Sequence, residues 1–150
     1  MKYSRVIILM LFIFQGFFGS TQSPPAVLKS GDVDKFINTL KPMSKELEAI
    51  GISVDSNSTP EAMMANAKVM AVLNKYGWDA SMWVKWSSIA MCYGKLKMDE
   101  QMAALPAEQR EQMKQMMKMA GQQMDEMINP EDLKLVKAKM SQLDAVMQEE

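Results

Sequence analysis

A three-residue helix start occurs twice in this chain: a polar cap, a proline and an acid, as Thr59-Pro60-Glu61 and Asn129-Pro130-Glu131. The cap oxygen satisfies an otherwise orphaned N–H. Proline at the first helical position gives up a donor that has no intrahelical partner, and the acid meets the positive end of the helix dipole. Around these starts the apolar residues recur at helical steps, and no stretch alternates as a half-buried strand would. The expected fold is all-α: a compact bundle of five or six helices that ends in an antiparallel helical hairpin.

The first stripe is Val33, Phe36, Ile37 and Leu40, with Asp32 as its expected N-cap and Pro42 as an expected interruption. A short second helix then carries Met43, Leu47 and Ile50, and Gly51 suits a left-handed position after its end. Ile52 to Ser58 is rich in turn residues and reads as a loop. Met63, Ala67, Met70, Leu73 and Tyr76 are the expected inner face of one helix that Gly77 stops. From Ala80 toward Lys97, Trp83, Trp86, Ile89, Ala90 and Tyr93 fall within about 120° of arc. This width suits core packing; a groove for a ligand or peptide, lined by Trp83 and Trp86, is the alternative. The next helix is expected over 107–128. In the last, Leu133, Val136, Met140, Leu143 and Met147 advance by alternating steps of three and four, the spacing of a packing seam. The turn between these two helices is short, so Met113, Met116, Ala120, Met124 and Met127 are expected to face that seam in an antiparallel pair.

Eighteen methionines in 150 residues set the composition apart, and eight of them lie between Met98 and Met127. Met113, Met116 and Met117 stand at i, i+3 and i+4, so three thioethers can converge from one helix face. Thioethers are soft ligands that select Cu(I), and Ag(I) shares that preference. The same residues, with Met124 and Met127, also form the stripe by which a helix buries an apolar face. A stripe of methionine is flexible and polarizable, suited to an adaptable binding surface. Sacrificial oxidation of these thioethers is a third use. The expected binding surface comprises Trp83, Trp86, Met113, Met117 and Met124. No cofactor is expected; Cu(I) on Met113, Met116 and Met117 is the alternative.

Chemistry is bounded further by what the chain lacks. There is no histidine, which removes Ser-His-Asp and Cys-His catalysis and His-based zinc sites. Cys92 is the single cysteine, so no disulfide closes within the chain; burial, an intermolecular disulfide and an exposed thiol remain open. An enzyme would have to work with carboxylates such as Glu108 or Asp132, and their spacing singles out neither. No catalytic residues are assigned, and the chain is not expected to be an enzyme. The charge is near balance, 17 basic against 18 acidic residues, so nucleic acid is not an expected partner. A protein or peptide is.

At the other end of the argument is location. Lys2 and Arg5 precede an apolar run from Val6 to Phe18, and no acid precedes Asp32. This is the layout of a secretory leader, expected over 1–20, with the mature chain starting between Thr21 and Ala26. The run is too short for the ~20 apolar residues of a membrane helix; an uncleaved leader is the one expected route to a membrane. Residues 21–31, with Ser23, Pro24, Pro25, Ser30 and Gly31, read as a linker, and 32–150 as one helical domain in the periplasm or outside the cell. Asn57-Ser58-Thr59 matches a glycosylation sequon, which is given no weight in a bacterial setting.

Leu105-Pro106-Ala107-Glu108-Gln109-Arg110, followed by Met113 and Met116-Met117, resembles the Leu-Thr-x-x-Gln segment of the Spy and CpxP family of periplasmic chaperones. The resemblance spans about twelve residues, with Pro106 in place of the threonine. It implies a small exported helical protein that binds other proteins without catalysis.

Overall fold

The computed structural model describes residues 24–52 and 60–148, with the side chains at 60, 61, 116–125 and 148 excepted. The expected leader, the sequon match and the expected cap Thr59 lie outside them. The described residues hold seven helices and no strand: α1 (Asp32–Ala49), α2 (Pro60–Ala65), α3 (Ala67–Lys75), α4 (Met82–Ala104), α5 (Ala107–Met127), α6 (Pro130–Lys137) and α7 (Met140–Gln148). The chain is all-α, as its periodicity requires.

Helix α4 is the centre of the bundle. It packs on α6, α1 and α5, while α1 also takes α3 and α7. Met82, Ile89, Cys92 and Tyr93 of α4 are buried, and Trp83, Trp86, Met91 and Leu96 are partly buried against the same core. A helix apolar on several sides belongs inside a bundle. Around it Phe36, Met43, Leu73 and Leu143 have no exposed surface, and each such side chain contributes about 1.5–3 kcal/mol on leaving water.

Pro42 does not interrupt α1, which runs unbroken through it. A proline inside a helix costs about 3 kcal/mol. Beyond it, Met43 is fully covered and Leu47 nearly so, and burying two such side chains offsets that cost. Conversely, the single helix expected to carry Met63 through Tyr76 is two. Asn66 ends α2 and its side-chain oxygen accepts the N–H groups of Lys68 (3.0 Å) and Val69 (3.4 Å), so it is the N-cap of α3. Asn is as strong a cap as Ser or Asp. Nor is Asp32 an N-cap: it is the first residue of α1, after Gly31, and its carboxylate accepts Lys29 N–H at 2.8 Å.

Two glycines end helices in the same manner. Gly51 (φ 78°) and Gly77 (φ 74°) take the left-handed conformation. The next residues, Ile52 and Trp78, donate back to the carbonyls of Leu47 and Leu73, both at 2.9 Å. This is a Schellman closure, which places Trp78 over the core it helps to fill.

The last third of the chain divides at Ala138 and Lys139, where a tight turn separates α6 from α7. Val136, Leu143 and Met147 of the expected seam are buried, with Leu133 and Met140 packed beside them. The seam is turned toward the centre of the bundle: α6 lies along α4 and α7 along α1. In the expected hairpin, the partners Met116, Ala120 and Met124 belong to side chains outside the described ones.

Candidate functional site

The aromatic residues of α4 divide between two environments. Trp86 meets Phe36 edge-on (centroids 4.8 Å apart, planes at 78°) and Trp78 likewise (6.1 Å, 84°). Such T-shaped contacts satisfy the ring quadrupoles. Trp78 is tied down further. Its indole N–H donates to Thr39 Oγ1 at 2.9 Å, and Lys35 Nζ stands 4.8 Å from its ring centroid while donating to Gly77 O at 2.7 Å. Trp83 is half-buried on the same helix, beside the exposed Val84. The indole N–H groups of Trp83 and Trp86 are covered and unpartnered among the described residues, a cost of about 1–3 kcal/mol for each. Of the two expected groove residues, then, Trp86 belongs to an inner aromatic cluster and Trp83 lies at its margin.

The segment Leu105 to Arg110 forms the corner between α4 and α5. Pro106 is extended (φ −54°, ψ 149°) and starts α5. Arg110 turns back to donate from Nη2 to Ala103 O (2.9 Å) and Leu105 O (3.0 Å). Carbonyls at a helix end lack intrahelical donors, and the guanidinium supplies them. Arg110 Nε is covered and has no partner among the described residues. Beyond the corner, Glu108 and Gln109 are exposed and Met113 is half-buried; Met98 and Met102, on the last turns of α4, are half-buried too. Met116, Met117 and Met124 are in α5, with side chains outside the described set.

The buried ionisable groups serve as anchors. Asp132 is 1% exposed. Its carboxylate accepts Val27 N–H (3.2 and 3.1 Å, one to each oxygen), Leu28 N–H (3.0 Å) and Ser88 Oγ–H (2.8 Å). Asn129 donates from Nδ2 to Pro24 O at 2.8 Å and accepts Glu131 N–H at 2.8 Å. Pro24 to Lys29, expected as a linker, is without helix and is held against α4 and α6 by these bonds, with Leu28 in the core. Asp32 accepts Lys85 Nζ at 3.0 Å. Asp144 receives Tyr93 OH (2.8 Å) and Lys97 Nζ (2.9 Å). Burial pushes the Asp144 carboxyl up, but the bonds from Lys97 and Tyr93 outweigh it and hold it below its ordinary value. Asp144 and then Glu100 hold the Lys97 ammonium above its ordinary value. The Cys92 thiol is pushed up to about 12, first by burial and then by the charge of Asp132, with a Ser88 hydrogen bond opposing them. Such a thiol is a poor nucleophile. Among the described residues no three His, Cys, Asp or Glu side chains are grouped to hold a metal ion.

Sequence reasoning passed over the convergence of Ser88, Asn129 and Asp132 on residues 24–28. Asn129 and Asp132 occupy a helix start where polar side chains are ordinary. Nothing in their spacing distinguishes a carboxylate that faces solvent from one that reaches a strand of backbone 105 residues away. No family model matches this chain, and no curated protein or solved structure does.

Proposed function

We propose that the chain is exported to the cell envelope and acts there as a non-catalytic binding protein, chaperone-like, whose adaptable face is the methionine-rich helix α5 with the adjoining end of α4. One observation carries this. Every other helix places at least one side chain in the buried core, whereas none of the described side chains of α5 is buried, from Ala107 to Gln115 and at Glu126 and Met127. A 21-residue helix whose described side chains stay out of the core offers those positions to another surface. Methionine supplies flexible apolar contact to partners of varied shape. The buried carboxylates are engaged as structural anchors, which supports a role without catalysis. The partner is a protein or peptide with exposed apolar side chains.

The test is suppression of aggregation of an unfolded model protein. Wild type should suppress it at near-stoichiometric ratios. A variant with Met113, Met116, Met117 and Met124 changed to Gln should not, while its circular dichroism stays helical. Absence of suppression by wild type overturns the reading. The alternative, a Cu(I)- or Ag(I)-binding protein, is decided by titrating reduced protein with Cu(I) against a competing chelator. Tight binding, lost when Met113, Met116 and Met117 become Leu, would put the metal first. Fractionation of the host tests the export.

A further inference from the structure

Asp132 is a buried carboxylate whose donors among the described residues are all neutral: two backbone N–H groups and the Ser88 hydroxyl. Lys85, one turn before Ser88, pairs with Asp32 instead. A charge taken this far from water is costly unless a charge of opposite sign accompanies it; the start of α6 offsets part of that cost. At Val27 the amide is shared between the two carboxylate oxygens as a three-centre bond. Its nitrogen stands almost equally far from both, 3.2 and 3.1 Å, and has one proton to divide between them. An ammonium carries three. Upstream of this nitrogen, Pro25 and Ala26 are exposed, whereas Val27 is half-buried and Leu28 is buried.

We propose that the Ala26–Val27 peptide bond is a processing site, and that the α-ammonium released at Val27 forms a buried ion pair with Asp132 that completes the fold. An envelope endopeptidase hydrolyses the bond: water gives its hydroxyl to the Ala26 carbonyl carbon, and the proton goes to the Val27 nitrogen. The acid's proton then passes to the amine, so the products are a carboxylate on Ala26 and an ammonium on Val27. The free amine is mostly protonated at neutral pH, with an ordinary pKa of about 7.7–8.0, and pairing with a carboxylate favours the charged form. Hydrolysis acts on the strand before it docks, because the docked amide is engaged with Asp132. The cut releases Pro24 O from Asn129 Nδ2, while Asn129 Oδ1 continues to cap α6. Ala26 gives the cut a small last residue, with Pro24 at the third position where a leader peptidase usually meets a second small one, and the start falls one residue past the span expected from the leader. The inference rests on the proposed export and on the described contacts around Asp132, and is independent of what α5 binds.

Two measurements test it. Intact mass and N-terminal sequencing of protein isolated from its own host should give a chain that starts at Val27; a start at any earlier residue overturns the proposal. The second uses the full chain from Val27, treated with limiting acetic anhydride at neutral pH. A docked ammonium should acetylate at least tenfold more slowly in folded protein than in urea, and Asp132→Asn should remove that protection. Equal rates in the folded and unfolded wild-type chain overturn the proposal. This comparison holds even where Asp132→Asn does not fold.

Discussion

Helices α5 and α6–α7 come from neighbouring stretches with similar apolar spacing, yet they end in different circumstances. The seam Leu133, Val136, Met140, Leu143, Met147 closes the core against α4 and α1. The sequence of α5 carries the same kind of periodicity, and its described side chains, Ala107 to Gln115, Glu126 and Met127, are not buried. Periodicity shows that a helix has an apolar face; it does not name the surface that covers it. The β-branched and Leu residues of α6 and α7 have few rotamers and fit a fixed core. The thioethers of α5 keep three rotatable bonds each and suit contacts that change.

The comparison can be broken in five ways. Phe36→Ala, at the fully buried centre, should cost about 3–5 kcal/mol by denaturant unfolding; a loss near 1 kcal/mol would place the core elsewhere. Asp132→Ala leaves Val27 N–H, Leu28 N–H and Ser88 OH without an acceptor and should cost about 2–3 kcal/mol. The segment from Val27 to Lys29 should then become sensitive to limited proteolysis. Acid unfolding should report Asp144. Its carboxyl lies below its ordinary value, so its contribution is full above about pH 4, the unfolded value, and is lost as pH falls through the folded value. Asp144→Asn should flatten that part of the curve. Cys92 should resist alkylation at pH 8 in folded protein and react once unfolded, since its thiol is pushed up to about 12; rapid reaction in the folded state would refute its burial. On α5 the effects should be smallest. Met113, Met116 and Met117 changed together to Leu should alter stability by less than ~1.5 kcal/mol. Met124→Asp separates the two arrangements: a cost of several kcal/mol where Met124 faces the seam, as its spacing predicts, and below ~0.5 kcal/mol where α5 keeps that face for a partner.

Much of the bundle was legible from local chemistry. The Asn129-Pro130 start, the left-handed glycines at 51 and 77, and the inward seam of the last third follow from rules that act within a few residues. Pro42 and Asn66 were misread because the outcome at each depended on competition. At Pro42 the burial of Met43 and Leu47 prevailed over a lost hydrogen bond. At Asn66 a side-chain cap divided a helix whose apolar face continues on both sides. The anchor at Asp132 was illegible for a different reason: its partners are backbone groups, which every residue possesses, so no residue type advertises them. The candidate binding face was legible as composition, through its methionines, and not as geometry.

The bond between Val27 and Asp132 joins positions 105 residues apart, which has a consequence for the order of folding. Translation delivers the N-terminal end first. The segment at Val27 and Leu28 therefore waits for nearly the whole chain before its acceptor exists, and Leu28 has no finished core to enter until then. Closing so long a loop comes late, after the local helices have formed. A chain arrested before Asp132 should hold its helices and still lack its closing contact, so the fold is fixed only when synthesis is almost complete.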